Sequence, residues 1–223
     1  MINETNSFVT IENFGAIPDG ITDCSEAFEF ALRDNQNIIL DEGVYYLDST
    51  VILNNVTPKN IVIKGQGSNK TTLLINNNIT AFEFTGYDIT EPRDYDTIHF
   101  EGIKFQEKNN SHTSTAIYFS GTPVRYEQEL SVEKCFFEGL DRGLYIANCG
   151  YIMFNRNTTS DCHVACDIGP NTMFTYLYDN VSTNDDYFIY CDIPFNGGIS
   201  NGIYCNHNTV IGSKISMVKV GFN

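Results

Sequence analysis

The chain has 223 residues, 42% of them apolar and 13% aromatic, with a formal net charge of −15 from 28 acidic and 13 basic side chains. This is the composition of a folded chain, not of a disordered one. The charge repels phosphate backbones and anionic lipid, so neither nucleic acid nor a membrane surface is an expected partner. A polysaccharide, held by hydrogen bonds and ring stacking, is not excluded, and a divalent cation can bridge acidic groups to an acidic sugar. The opening residues MINETNSFVT show neither a basic nor an apolar stretch, so no signal peptide is expected. No apolar run approaches the length of a membrane span. The seven cysteines (24, 135, 149, 162, 166, 191 and 205) are odd in number and lack paired spacing, and they read as reduced, mostly buried thiols.

The first strong element is FGAIPDGITDCSEAFEFAL, Phe14 to Leu32. Gly15 and Asp19-Gly20 read as turns. Asp23 is placed to cap a helix over 24–33, with Glu26 three residues on as the second half of a capping box. Cys24, Phe28, Ala31 and Leu32 share one face of that helix. Short β-type runs follow: 37–40, 43–47, 49–53, 60–65, 71–75 and 81–84, rich in β-branched and aromatic residues and separated by Gly, Asn and Asp. GQGSNK (65–70) is Gly-rich, but no helix follows it, so it reads as a turn and not as a phosphate loop.

The second half repeats. LSVEKCFF, IMFNRNTT and FTYLYDNV start at 130, 152 and 174, a spacing of 22, and LYI, CDI and FIY at 144, 166 and 188 keep it. This register predicts inward stacks of Leu130, Ile152 and Phe174; Val132, Phe154 and Tyr176; Leu144, Cys166 and Phe188; and Ile146, Ile168 and Tyr190. DTIHFEGIKF (96–105) reads as an earlier turn and GIYCNHNTV (202–210) as a later one. Coils of about 22 residues with two or three short strands and no helix between them indicate a parallel β-helix of six or seven coils. A solenoid needs a cap over its first coil, and the amphipathic helix is the natural one.

The Phe14–Leu32 motif, followed by IILDEGVYYL and IVIKGQGSNKTTLLI, resembles the N-terminal region of the pectate-lyase-like superfamily. The resemblance covers residues 8–75 and implies an all-β fold: a right-handed, single-stranded parallel β-helix with a short N-terminal capping α-helix. It divides the chain into a cap (1–50) and β-helix coils (51–223) whose C-terminal end carries no visible cap. With no signal peptide and free cysteines, the resemblance leans toward bacteriophage tailspikes and related receptor-binding proteins. These are virion proteins made in the host cytoplasm, homotrimeric, that recognise and often depolymerise bacterial surface polysaccharide. The resemblance thus implies a bacterial surface polysaccharide as partner, with either a homotrimer or other virion chains covering the open C-terminal end. The alternatives are a non-catalytic virion spacer and a stand-alone polysaccharide lyase or hydrolase.

Glycan cleavage needs carboxylates facing each other across a sugar, and the 22-residue register stacks Asp141, His163 and Asp185. The neighbouring column places Arg142 near Asp186, with Val164 between, and Asp167 is an outward strand residue between Tyr145 and Ile189. Asp141, His163, Asp185 and Asp186 are therefore the candidate catalytic groups, and Arg142, Asp167, Tyr87, Tyr95 and Phe195 the candidate sugar contacts. The plainer reading of the same column is as turn residues, where Asp, Asn and His are favoured, ahead of the reading as a site. TNDD (183–186) resembles the acidic cluster of polygalacturonases, but the Gly-His-Gly and Arg-x-Lys segments of that family are missing. No metal ligand set is expected. A calcium site of the pectate-lyase kind has acidic residues here but no placeable catalytic arginine, so no cofactor is assigned. His99 reads as an outward strand residue, and His112 lies in a polar insertion, 106–115, that reads as a surface loop.

Overall fold

The computed structural model describes residues 8–34, 37–54, 60–85, 97–121, 129–191, 202–212 and 218–220. Its strands form three sheets in which all neighbours are parallel. The chain visits the sheets in a fixed order. Glu129–Glu133 lies in the first, Phe136–Glu138 in the second and Arg142–Ala147 in the third, and Tyr151–Asn155 then returns to pair with Glu129–Glu133. Repetition of this path makes a right-handed parallel β-helix.

Among the described residues, eight strands stack in the first sheet, eight in the second and seven in the third. The stack is longer than six or seven coils because it begins upstream of the helix. Val9–Thr10 already pairs with Asn37–Ile39, and Asp19–Asp23 with Gly43–Leu47. The helix Ser25–Asp34 follows these strands and fills the third side of the first rung. Asp23 caps it through Oδ1, which accepts from the Ser25 amide (3.0 Å) and hydroxyl (2.6 Å) and also from the Asp48 amide (3.0 Å). Its apolar stripe of Cys24, Phe28, Ala31 and Leu32 is fully buried. The Phe28 ring meets Phe82 edge-on at 5.4 Å and Tyr45 at 6.5 Å.

Alternation along each strand fills the interior. Phenylalanines continue from rung to rung: Phe105 stacks on Phe137 at 5.0 Å, and Phe137 meets Phe154 at 5.6 Å. Six of the seven cysteines are buried and free, and Cys205 is exposed. Burial raises the Cys135 and Cys149 thiols to about 12, so they behave as small core side chains.

The 22-residue register holds from Leu130 to Ile152 and from Leu144 to Cys166, and then slips. Ile152 pairs with Thr175, Phe154 with Leu177, Cys166 with Ile189 and Ile168 with Cys191. Thr175, Leu177, Ile189 and Cys191 thus take the inward places expected of Phe174, Tyr176, Phe188 and Tyr190. The cause is one extra residue in the turn between the third and first sheets. From Ile146 to Tyr151 the chain takes five steps, whereas from Ile168 to Phe174, their partners, it takes six. Because strand side chains alternate, one residue turns Phe174 and Tyr176 outward. Phe188 stays buried, beside Ala165 at the start of its strand.

The corners repeat too. At the first-to-second sheet corner, Gly102, Lys134, Arg156, Asp179 and His207 occupy equivalent places, all with left-handed φ. Just beyond them, Asn157, Asn180 and Asn208 form a ladder. The Asn157 amide nitrogen donates to the Val132 carbonyl (2.9 Å) and that of Asn180 to Phe154 (2.7 Å), while Asn180 Oδ1 accepts from the Asn157 backbone (2.9 Å).

Candidate functional site

At the corner between the second and third sheets, three rungs turn through Leu140–Asp141, Cys162–His163 and Asp185–Asp186. The first residue of each pair points inward and is buried, and the second points outward. Backbone bonds fix this order, from the His163 amide to the Leu140 carbonyl (2.8 Å) and from the Asp186 amide to the Cys162 carbonyl (2.9 Å). The outward column is therefore Asp141, His163 and Asp186. Asp185 does not belong to it, because the extra residue before Phe174 shifts its whole rung.

Asp185 instead occupies the core position of Leu140 and Cys162. Its carboxylate accepts from the hydroxyls of Thr159 and Ser182 (2.6 Å) and from the Cys162 amide (2.8 Å). Burial raises its pKa above the usual carboxylate value, against the pull of these donors. It staples the turn and faces no solvent.

The outward groups are paired along and across the rungs. His163 Nδ1 lies 2.9 Å from Asp186 Oδ2, and its ring meets Tyr187 edge-on at 6.0 Å. Arg142 does not reach Asp186; its rung partners are Val164 and then Tyr187. Its guanidinium donates to Asp167 Oδ2 (2.7 Å) and to Asp141. Burial works against the arginine charge, but these two carboxylates outweigh it and raise its pKa. Asp167 lies in the outward column Tyr118, Tyr145, Asp167, Tyr190, so its neighbour is Tyr190 and not Ile189. Tyr118 and Tyr145 stack face to face at 4.7 Å, and Tyr187 meets Tyr190 edge-on at 5.3 Å.

A cleft of about 320 Å³ opens over this corner, lined by His112, Asp141, Asp161, Cys162, His163 and Asp186. His112 Nε2 sits 2.7 Å from the Asp161 carbonyl and 3.5 Å from its carboxylate. Two histidines and three aspartates thus converge on one opening, a set suited to gripping hydroxyl groups and to moving protons between them. Among the described residues, no group of three or more His, Cys, Asp or Glu side chains is placed to hold a metal. Tyr87, Tyr95 and Phe195 lie outside the described residues.

Two contributions escape a reading of the sequence alone. Asp161 sits at a left-handed position, φ 54°, in the column of Gly139 and Asn184, and looks like any turn residue. His112 lies far along the chain, and only folding brings it across the intervening rung. Tyr187 and Tyr190 are visible as outward residues once the register is corrected.

No protein-family model matches the chain, and comparison with curated proteins finds no match. Solved structures do match. The tailspike protein of Acinetobacter phage vB_ApiP_P1 superposes with a TM-score of 0.55 over 99% of this chain and 46% of that one, at 15% identity. The catalytic unit of a GH87 α-1,3-glucanase from Streptomyces thermodiastaticus covers 96% of this chain and 50% of that one, with a TM-score of 0.48 at 16% identity. The chain thus spans about half the length of these structures. The likeness to the tailspike extends over essentially every rung, and the chain has the right-handed parallel β-helix fold that the pectate-lyase-like resemblance implies.

Proposed function

We propose that this chain is a glycan-recognising β-helix of the phage tailspike kind, and that sugar binds in the cleft at the second-to-third sheet corner. The observation that carries the reading is the convergence of His112, Asp141, Asp161, His163 and Asp186 on one opening. Imidazole and carboxylate groups are the hydrogen-bond partners that vicinal hydroxyls need. Tyr187, against His163, adds an aromatic wall of the kind sugars pack against. The cellular setting belongs to the same proposal: a virion tail protein, homotrimeric, with a bacterial surface polysaccharide as its partner. The matched tailspike supports that setting through shared fold.

The spacing of the acidic groups favours depolymerisation as a second reading. Asp141 and Asp186 are two rungs apart, about 10 Å at the backbone from a strand spacing of ~4.8 Å. Inverting glycosidases hold their carboxyl groups ~6.5–9.5 Å apart, a range close to the spacing of two rungs. His163 stands between them in the column, with Nδ1 2.9 Å from Asp186 Oδ2, so a proton can pass within that pair.

The test is incubation of the purified chain with bacterial capsular and O-antigen polysaccharides, with binding followed by calorimetry and products by chromatography. Binding should appear with at least one glycan and weaken about tenfold or more in Asp186→Asn and His163→Ala, the loss of one well-placed polar contact. New reducing ends would establish hydrolysis, and an ultraviolet-absorbing unsaturated uronide would establish elimination. Binding that is unchanged in both variants would remove the cleft as the site.

A further inference from the structure

The corner is tight in later rungs but not in the rung of Lys104–Glu107. Between Glu107 and Thr115 the chain makes a seven-residue excursion, 108–114, where its rung partners Gly139 and Arg142 are joined by Leu140 and Asp141 alone. Glu107 continues the column of Ile75. It points inward and is fully buried. A carboxylate in a core position is costly unless donors surround it. Here the excursion supplies every donor. The Ser111 hydroxyl (2.8 Å), the Thr113 hydroxyl (2.6 Å) and the Thr113 amide (3.2 Å) donate to it, and the Ser114 oxygen lies 3.2 Å away.

The excursion so gathered leans along the helix axis. Behind, Ser114 donates to the Asn76 carbonyl (2.8 Å), and the Ser111 hydroxyl accepts from Asn77 (2.7 Å). Ahead, Asn110 lies on Gly139, where an added Cβ would come 2.5 Å from the Asn110 side-chain oxygen. Past that contact, His112 reaches Asp161, two rungs on from its own. Asn110 and His112 both have left-handed φ, 47° and 56°. A polar segment with two such residues holds a single shape only when something fixes it, and the buried carboxylate is that fixture.

We propose that Glu107 is a positioning residue for the cleft: it holds the 108–114 strap across Gly139 so that His112 closes the cleft over Asp161. The role rests on the reading of the cleft as a glycan site, but its geometry can be tested without any glycan. His112 is the strap residue that meets ligand, and Glu107 acts only through it.

The experiment compares Glu107→Ala, Glu107→Gln, His112→Ala, Ser111→Ala/Thr113→Val and the Glu107→Ala/His112→Ala pair in the full chain. The first readout is the imidazole nitrogen spectrum of His112 by NMR. In Glu107→Ala and in Ser111→Ala/Thr113→Val, which cuts two of the hydroxyl bonds to the carboxylate, it should move to that of a solvated histidine, and Glu107→Gln should recover part of the native signal. The second readout is affinity for whichever glycan binds the wild-type chain. Glu107→Ala and His112→Ala should each weaken it about tenfold, and the pair should weaken it no further, because both remove one contact. A native His112 spectrum in folded Glu107→Ala overturns the proposal, as do additive losses in the pair. If Glu107→Ala does not fold, Ser111→Ala/Thr113→Val, which removes two of the hydroxyls that tie the strap to the carboxylate, carries the same test, and an unmoved His112 there overturns it. Absence of glycan binding in every protein, with His112 displaced as expected, refutes the glycan reading and leaves the strap geometry standing.

Discussion

Asp185 and Asp186 are adjacent in sequence and opposite in physics. Asp186 meets the cleft and His163, whereas Asp185 is sealed among Thr159, Ser182 and the Cys162 amide. Truncating Asp185 to Ala should strand these donors in the core and destabilise the chain by about 3 kcal/mol, read by urea unfolding. The carboxyl also has a pH signature. Burial raises its folded pKa above the unfolded value. A group shifted in that sense stabilises the fold below its unfolded pKa of ~3.9, and the contribution is lost as pH rises through the folded value. Asp185→Asn does not titrate. The wild-type chain should therefore lose stability relative to Asp185→Asn as pH rises from about 4. A difference independent of pH would refute the raised value. Nothing at the level of residue type separates this aspartate from its neighbour; only the strand register does.

The elements carry that register, and here the sequence is informative up to one point. Leu130, Val132, Leu144 and Ile146 repeat as Ile152, Phe154, Cys166 and Ile168 because equivalent strand positions face one core. The next rung retains an apolar pattern in either register: Phe174, Tyr176 and Tyr190 are as plausible inside as Thr175, Leu177 and Cys191. Only the turn Gly169–Met173 decides, and a turn tolerates an extra residue at small cost. The exposed first sheet benefits from the slip, with Tyr151 stacked on Phe174 at 5.3 Å and Tyr176 on Tyr204 at 5.0 Å. A second element-level tie runs along the same sheet. Glu101 accepts from Lys64 and Lys134, both at 2.9 Å, and Arg156 reaches Glu133 at 3.1 Å, so charges join four successive rungs. Lys64 and Lys134 hold the Glu101 pKa down at about 2. A carboxylate lowered in this way stabilises the fold above its unfolded pKa, and the contribution fades as pH falls through about 2. Glu101→Gln should therefore be less stable than wild type at neutral pH, with the gap closing in acid and shrinking in high salt. A gap that persists at pH values below about 2 would point to packing as its source.

For the whole molecule, stability is close to a sum over rungs and their interfaces, so damage at one rung is felt first by the rungs beside it. The N-terminal end is the part most legible in sequence, because Asp23 and the spacing of Cys24, Phe28, Ala31 and Leu32 state a one-faced helix, and an isolated helix of that kind needs a surface to cover. The cleft is least legible, since it joins His112 to residues up to 74 positions away, at Asp186, through two corners and a strap. These two features should come apart under mutation. Phe28 is fully buried against Phe82 and Tyr45. Phe28→Ala should cost about 3–5 kcal/mol by the usual loss on truncating a buried phenylalanine. In a stack governed by neighbour contacts, that loss should open the first rungs before the later ones. Amide exchange should accelerate in Gly43–Leu47 and Thr80–Thr85, while Val164–Ile168 keeps its protection and glycan affinity is unchanged. Uniform acceleration along the chain would show instead that the rungs unfold as one unit, and that the cap sets the stability of the cleft as well as of the end it covers.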